Sequence, residues 1–263
     1  MSVSVASGPF AVGLCSVTFR SLAPSEVVEL AAAVGVEVLE WGGDVHVPEG
    51  DVAAAHAAAA MSADAGLGVA AYGSYLFLDE HLDRRLGPVL ETATALGAPA
   101  TRVWCPHRPE DGDGWSALVD AAGRAVAAAD TAGVSVYLEF HGGTATDEVD
   151  GVRRLLDEVP GLYAGWQPPY WAPRSTEDEV ADLARLGDRL LHVDVYAWTP
   201  EHERLPLEAE GDAWSARLAA AGPCTAAARA AGLAPAALVE FVPDDDPAVL
   251  AREVGTLRRW LSR

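Results

Sequence analysis

Short apolar runs alternate with alanine-rich segments of helical pattern along the whole chain. The apolar runs predict buried strands, and the segments between them predict amphipathic helices. Proline begins some helical segments, as at Pro24 and Pro247, and glycine follows others, as at Gly35 and Gly97, which are typical start and stop signals. The predicted strands are Ala11–Ser16, Val36–Glu40, Gly68–Tyr72, Ala100–Trp104, Val134–Glu139, Leu162–Gln167, Leu190–Asp194 and Ala236–Phe241. The predicted helices are Pro24–Val34, Asp51–Ala65, His81–Leu96, Trp115–Ala132, Asp147–Glu158, Thr176–Leu186, Asp212–Ala231 and Pro247–Leu261.

This alternation predicts an α/β fold. Strands separated by helices favour parallel pairing with right-handed crossovers. Eight such units in 263 residues match the size of a (β/α)8 TIM barrel, so we expect a single domain over residues 1–263. The alternative is an open doubly wound sheet, which is disfavoured because no strand is followed by the GxGxxG turn of a dinucleotide site.

The composition excludes several classes of function. Asp and Glu outnumber Lys and Arg 39 to 18, which gives a formal net charge of -21. A chain this acidic is repelled by nucleic-acid phosphates and anionic membrane surfaces, so we expect neither as a partner. The chain contains no Lys, which excludes Schiff-base lysine chemistry and a Walker A loop. Scattered cysteines and an N-terminus without a basic signal region favour a cytoplasmic protein.

Polar residues end four consecutive predicted strands. In a TIM barrel the active site lies at the carboxyl ends of the strands, where alternate side chains point into the lumen. This alternation turns Glu139, Gln167, His192 and Glu240 inward. Their oxygen and imidazole donors suit Mn²⁺, Mg²⁺ or Co²⁺, so we expect these four residues to form a divalent-metal site. The alternatives are ion-paired glutamates, a core histidine at His192 and a polar cap at Gln167.

Five segments in this order resemble the xylose isomerase-like TIM-barrel family, often labelled sugar phosphate isomerases/epimerases. They are VEVLEWGGDVHVPEGD, VSVYLEFHGG, YAGWQPPYW, LLHVDVYAW and LVEFVPDDDP. The resemblance implies a divalent metal, Mn²⁺ or Mg²⁺ first and Co²⁺ or Zn²⁺ as alternatives, held by Glu139, Gln167, His192 and Glu240. Arg204, in ERLPLEAEG, is similar to a family arginine that contacts substrate oxygens.

Two residues depart from the family pattern. The usual aspartate of the sixth strand is Gln167 here, and a histidine that commonly follows it is replaced by Tyr170. A neutral ligand leaves two carboxylates at the metal instead of three. We therefore expect weaker metal binding, and the specific epimerase reactions of the family do not follow directly.

The candidate residues predict a sugar isomerase or epimerase that moves a proton next to a carbonyl through an enediolate. Glu139 and Glu240 are the predicted acid–base pair. Because the chain has no Lys and no glycine-rich phosphate turn, we expect an unphosphorylated carbohydrate, polyol or keto-sugar. Indole rings stack on sugar faces. The predicted substrate-binding residues are His46, His141, Arg204, Trp41, Trp104, Trp166 and Trp198.

Other functions stay open at this stage. A dehydratase acting on a sugar, inositol or keto-glycoside would use the same enediolate to expel a β-hydroxyl group. A metal-poor barrel acting as a binding or partner subunit is favoured by Gln167. Endonuclease-type repair is disfavoured because the chain lacks a basic groove and the ligands of a trinuclear zinc cluster. A homo-oligomer is expected only from the family resemblance.

Overall fold

A computed structural model describes residues 8–109, 112–172 and 174–262. Eight parallel strands close into a barrel in the order β1-β8-β7-β6-β5-β4-β3-β2, which confirms the predicted TIM barrel. The strands are β1 Ala11–Cys15, β2 Val38–Gly42, β3 Gly68–Phe77, β4 Ala100–Trp104, β5 Ser135–Leu138, β6 Leu162–Trp166, β7 Leu190–Val195 and β8 Ala236–Val239.

Helices connect the strands and surround the barrel. They are α1 Pro24–Val34, α2 Val52–Asp64, α3 Leu82–Leu96, α4 Gly112–Thr131, α5 Val149–Glu158, α6 Thr176–Arg185, α7 Gly211–Ala221, α8 Ala226–Ala230 and α9 Leu250–Leu261. The single predicted helix Asp212–Ala231 is wrong. A 3-10 turn at Gly222–Thr225 divides it, because Pro223 has no N–H for the helical ladder.

The strands alternate between two environments. Leu39, Leu138, Val193 and Val239 are buried in the main core, which includes the helix layer. Each of these four residues is followed in the chain by an acidic residue. The acidic residues are, in the same order, Glu40, Glu139, Asp194 and Glu240. Because successive side chains of a strand point to opposite faces, these carboxylates project into the lumen. The fold therefore brings acidic groups from four strands into one barrel interior.

Part of the barrel lining is apolar. Cys15, Ala70, Ala236 and Leu238 belong to one small buried cluster. After β7, a short antiparallel ribbon pairs Ala197–Trp198 with Arg204–Leu205 at the entrance. None of the helices in the described ranges is both long enough and apolar enough to cross a lipid bilayer.

Candidate active site

A buried arginine lies in the lumen and was missed in the sequence analysis. The side chain of Arg102, on β4, is only 3% exposed. Its Nη1 lies 3.1 Å from Glu40 Oε1, and its Nε lies 3.3 Å from Glu139 Oε2 as an ion-pair contact without hydrogen-bond alignment. The Tyr137 hydroxyl donates a hydrogen bond to the second oxygen of Glu40. The guanidinium therefore joins two lumen carboxylates.

The barrel wall is shaped around this ion pair. A Cβ atom at Gly73 would lie 2.6 Å from Glu40 Oε1 and 3.2 Å from Arg102 Nη2, so only glycine leaves room for both groups. The guanidinium carbon lies 5.7 Å from the ring centres of both Tyr75 and Trp104, within cation–π range. Arg102 is thus held by ion pairs and by cation–π contacts, in the space that Gly73 leaves free.

Gln167 lies in the lumen, as predicted, but its carboxamide faces Glu139 with nitrogen. Gln167 Nε2 donates to Glu139 Oε1 and to the Phe140 carbonyl, each at 2.8 Å. The Tyr196 hydroxyl lies 3.0 Å from Gln167 Oε1 and 2.5 Å from the Pro168 carbonyl, so its single proton is shared between these two acceptors. These partners fix the amide orientation, so the oxygen expected to bind a metal already faces a tyrosine hydroxyl.

His192 lies deeper in the barrel than the sequence analysis expected. It pairs in register with Ala236, whereas Asp194 pairs with Leu238, nearer the entrance. His192 Nδ1 accepts a hydrogen bond from the Ala236 amide at 3.2 Å, and its ring centre lies 5.1 Å from that of Tyr137. Burial lowers the pKa of His192 to about 4, so the ring is neutral. The Nδ1 contact is typical of the core histidine considered as the alternative, whereas the buried Nε2 has no hydrogen-bond partner among the residues that the structure describes.

Asp194 shares the upper lumen with the two predicted acid–base residues. Burial raises the pKa of Asp194 well above its usual value, and the charges of Glu240, Glu139 and Glu40 raise it further. The Cys15 thiol lies 3.7 Å from Asp194 Oδ1 and donates to it weakly. Asp194 has the same inward alternation as His192, but it is not among the ligands that the sequence predicts.

Glu139 and Glu240 are both buried, at 6% and 7% exposure. Burial raises the pKa of Glu139 to about 7, although the charge of Arg102 opposes this shift. Burial also raises the pKa of Glu240 to about 8, and the negative charge of Glu139 adds to the rise. Carboxyl groups that titrate near neutral pH suit proton transfer in either direction.

Aromatic rings line the entrance above these carboxylates. The Trp104 and His141 ring centres lie 4.6 Å apart on one side, and Trp198 lies 4.9 Å from Tyr170 and 5.1 Å from Phe241 on the other. Three of the predicted substrate-binding residues, Trp104, His141 and Trp198, therefore belong to one wall of rings. Such a wall offers flat faces for a sugar ring.

Two further features fix this wall. His141 Nδ1 donates to the Gly142 carbonyl at 3.0 Å, so its Nε2 accepts a hydrogen bond from the Tyr170 hydroxyl at 2.9 Å. Phe241 follows Glu240 directly and has a φ of 55°. The guanidinium carbon of Arg204 lies 4.9 Å from the centre of the Phe241 ring, in a cation–π contact. Arg204 also pairs with Asp245, so this predicted substrate-binding residue lies at the entrance.

Three predicted substrate-binding residues lie elsewhere. Trp41 Nε1 donates to Ser62 Oγ on α2 at 3.2 Å, and the Trp166 ring packs against Trp214 on α7. Each tryptophan is one residue from an inward side chain, so the strand alternation turns it to the helix layer. His46 uses both ring nitrogens within the protein, on Ser16 Oγ at 2.9 Å and the Leu22 carbonyl at 3.2 Å.

The four predicted metal ligands do not fit a metal ion in this arrangement. In the part of the chain that the structure describes, no three His, Cys, Asp or Glu side chains are placed to hold one. Gln167 directs nitrogen toward Glu139, and His192 bonds the backbone below the acidic groups. The geometry instead places a guanidinium among the carboxylates.

No protein-family model matches the chain, and no curated protein matches its sequence. Solved structures do match its fold. The chain folds as the xylose isomerase-like TIM barrels do. It is similar to a xylose isomerase-like TIM barrel protein from Mycobacterium smegmatis in complex with magnesium, with a TM-score of 0.68 and 12% identity over 99% of both chains. The fold resemblance predicted from the sequence is thereby confirmed.

Two other similar structures are enzymes by their descriptions. The probable 3-DHS dehydratase AsbF from Bacillus anthracis, involved in petrobactin synthesis, matches with a TM-score of 0.72 and 15% identity over 95% of this chain and 99% of that chain. D-allulose 3-epimerase from Methylomonas sp., in complex with D-allulose, matches with a TM-score of 0.70 and 14% identity over 99% of this chain and 100% of that chain. At these identities the likeness establishes the fold.

Proposed function

We propose that the protein is an isomerase or epimerase that transfers a proton next to the carbonyl group of an unphosphorylated carbohydrate. The observation that carries this proposal is the pair of buried carboxyl groups, Glu139 and Glu240, which interact electrostatically in one lumen beneath an aromatic entrance. The epimerase among the similar structures binds a free ketose, D-allulose, which supports the same substrate class here.

The surroundings of the two carboxyl groups suggest different roles. Glu139 lies beside Arg102 and accepts a hydrogen bond from Gln167, and both contacts favour its charged form. Glu240 has the higher pKa, about 8, and is held mainly in its acid form at neutral pH. Glu139 is therefore the base that removes the carbon-bound proton, and Glu240 is the acid that delivers one to the opposite face or to the neighbouring carbon.

The substrate would enter along this wall of rings. Trp104, His141, Trp198 and Phe241 offer faces to the apolar side of a sugar ring. Arg204 at the entrance offers hydrogen-bond donors to hydroxyl groups. The mycobacterial structure contains magnesium, whereas the four expected ligands of this chain do not fit a metal ion. The proposed proton transfer therefore uses side chains of the protein.

Deuterium uptake from solvent tests this function. The protein is incubated in D2O with unphosphorylated ketoses, aldoses, inositols and keto-glycosides, and exchange of the substrate C–H is followed by NMR. We expect exchange with at least one free sugar, and we expect Glu139→Gln and Glu240→Gln each to slow it by about 10²-fold to 10⁴-fold.

Glu49→Gln is the matched control, because Glu49 forms an ion pair with Arg85 outside the lumen and should leave exchange unchanged. Exchange that persists in both lumen variants would refute the assigned roles. Loss of water from the sugar would instead assign the dehydratase alternative, which the similar dehydratase structure supports.

A further inference from the structure

We propose that Arg102 supplies the permanent positive charge of this lumen, in the role that a divalent metal ion was expected to have, and holds Glu139 in place as the base. This inference rests on the proposed function for the role of Glu139. The position of Arg102 among the lumen carboxylates does not depend on that function. Arg102 is a positioning residue in this scheme, because it acts through the carboxylate that it contacts.

Both oxygens of Glu139 already face nitrogen groups. Oε2 lies 3.3 Å from Arg102 Nε, and Oε1 accepts a hydrogen bond from Gln167 Nε2 at 2.8 Å. A metal ion bound to Glu139 would have to approach the charged guanidinium or displace the amide. Rotation of the amide would place its oxygen against two acceptors, Glu139 Oε1 and the Phe140 carbonyl, which now accept hydrogen bonds from Gln167 Nε2.

The surroundings of Arg102 are built for a fixed cation. Its second carboxylate partner, Glu40, is in turn bonded by the Tyr137 hydroxyl, and Gly73 leaves the space that the pair needs. Arginine does not lose its proton in proteins, so this positive charge is present at every working pH.

Removal of the guanidinium should therefore create the metal site that the native chain lacks. Without Arg102, Glu40 and Glu139 lose their positive partner, and a divalent ion would relieve the repulsion among the lumen carboxylates. Met has a length similar to that of the arginine side chain and carries no charge, so Arg102→Met is the informative substitution.

The experiment measures Mn²⁺ binding by titration calorimetry in protein purified without chelators. We expect no saturable binding in the wild-type chain, and in Arg102→Met we expect saturable binding of one ion per chain, because a repelling charge has been removed. Arg108→Met is the matched control, because Arg108 lies outside the lumen and pairs with Asp147 and Glu148. It should behave as the wild type.

Saturable binding of one Mn²⁺ per wild-type chain would overturn the inference, and so would a folded Arg102→Met variant that binds Mn²⁺ no better than the wild type. The wild-type measurement decides the question even when Arg102→Met fails to fold. Arg102→Lys is a second variant that keeps the charge and should still exclude the ion. A failure to find any sugar that exchanges deuterium would count against the proposed function and leave the binding result intact. Where a substrate is found, wild-type exchange that EDTA abolishes and Mn²⁺ restores would also overturn the inference.

Discussion

The two halves of the barrel lumen are charged in different ways. On the side of β2, β4 and β5, Glu40 and Glu139 share the guanidinium of Arg102. On the side of β7 and β8, Asp194 and Glu240 form no salt bridge with any residue that the structure describes. Glu139, beside the guanidinium, is therefore held closer to its charged form than Glu240, which lacks such a partner.

This difference shows how a barrel can prepare an acid and a base from carboxyl groups alone. Charge pairing keeps Glu139 the stronger acid of the two, with a pKa of about 7, while Glu240 has a pKa of about 8. Their environments separate the two roles before any substrate is bound. Variants that remove a carboxylate from each half should affect stability with opposite signs.

The largest effect is expected on the paired side. Glu40→Gln leaves Arg102 with one carboxylate fewer and removes the charged acceptor of the Tyr137 hydroxyl. Breaking a buried ion pair by removing one partner costs about 3–5 kcal/mol of unfolding free energy. Urea denaturation at pH 7 should measure this loss.

Glu49→Gln provides the control for this substitution. Glu49 pairs with Arg85, and both side chains keep more than a quarter of their surface exposed. Removal of such a partly exposed pair costs less than about 1 kcal/mol. Equal losses in the two variants would show that the paired side of the lumen has no special electrostatic importance.

A smaller effect of opposite sign is expected at Asp194. Its pKa is raised in the folded protein, so its contribution to stability is full below the unfolded pKa and is lost as the pH rises toward the folded pKa. Asp194→Asn removes this dependence. At pH 8.5 we expect the variant to be more stable than the wild type, and near pH 4 we expect no gain.

Asp182→Asn is the matched variant for this comparison. Asp182 is also buried, but it pairs with Arg174 and Arg185 on the outside of the barrel. Its replacement should destabilise the protein at pH 8.5. Destabilisation by Asp194→Asn at that pH would mean that Asp194 has a cationic partner in solution, and the contrast between the two halves would fail.

The smallest effect is expected at the entrance. Tyr170→Phe removes the hydroxyl that donates to His141 Nε2 and should cost about 1 kcal/mol of unfolding free energy. Tyr163 lies at the amino end of β6, away from the entrance, and Tyr163→Phe should change stability less. Thermal unfolding of both variants measures the difference, and equal transition temperatures would show that the Tyr170–His141 hydrogen bond does not stabilise the entrance.

The sequence predicts the barrel well because its evidence is local and repeated. Each apolar run, helical segment and terminal glycine reports the same alternation, and Gly35 and Gly97 end α1 and α3 with left-handed φ angles as expected. The strand alternation also identifies Glu139, Gln167 and Glu240 as inward. Applied to Trp41 and Trp166, the same alternation would have placed both in the helix layer.

The arrangement inside the lumen could not be predicted in the same way. A period of two residues gives the face of a strand but not the depth, so His192 and Asp194 were indistinguishable until their partners on β8 were known. The alternation of β4 did offer Arg102 as an inward charge. Its two carboxylate partners, however, come from strands 62 residues before and 37 residues after it in the chain, and only the closed barrel brings them together.

The left-handed backbone at Phe241 limits how the entrance can evolve. A bulky residue in this conformation is rare, and such strain, of the order of 1–3 kcal/mol, persists only where surrounding contacts enforce it. Glycine would relax the peptide but would remove the ring that Trp198 and Arg204 contact. An unstrained backbone and an aromatic ring at the entrance are therefore mutually exclusive at this position, and the chain retains the ring.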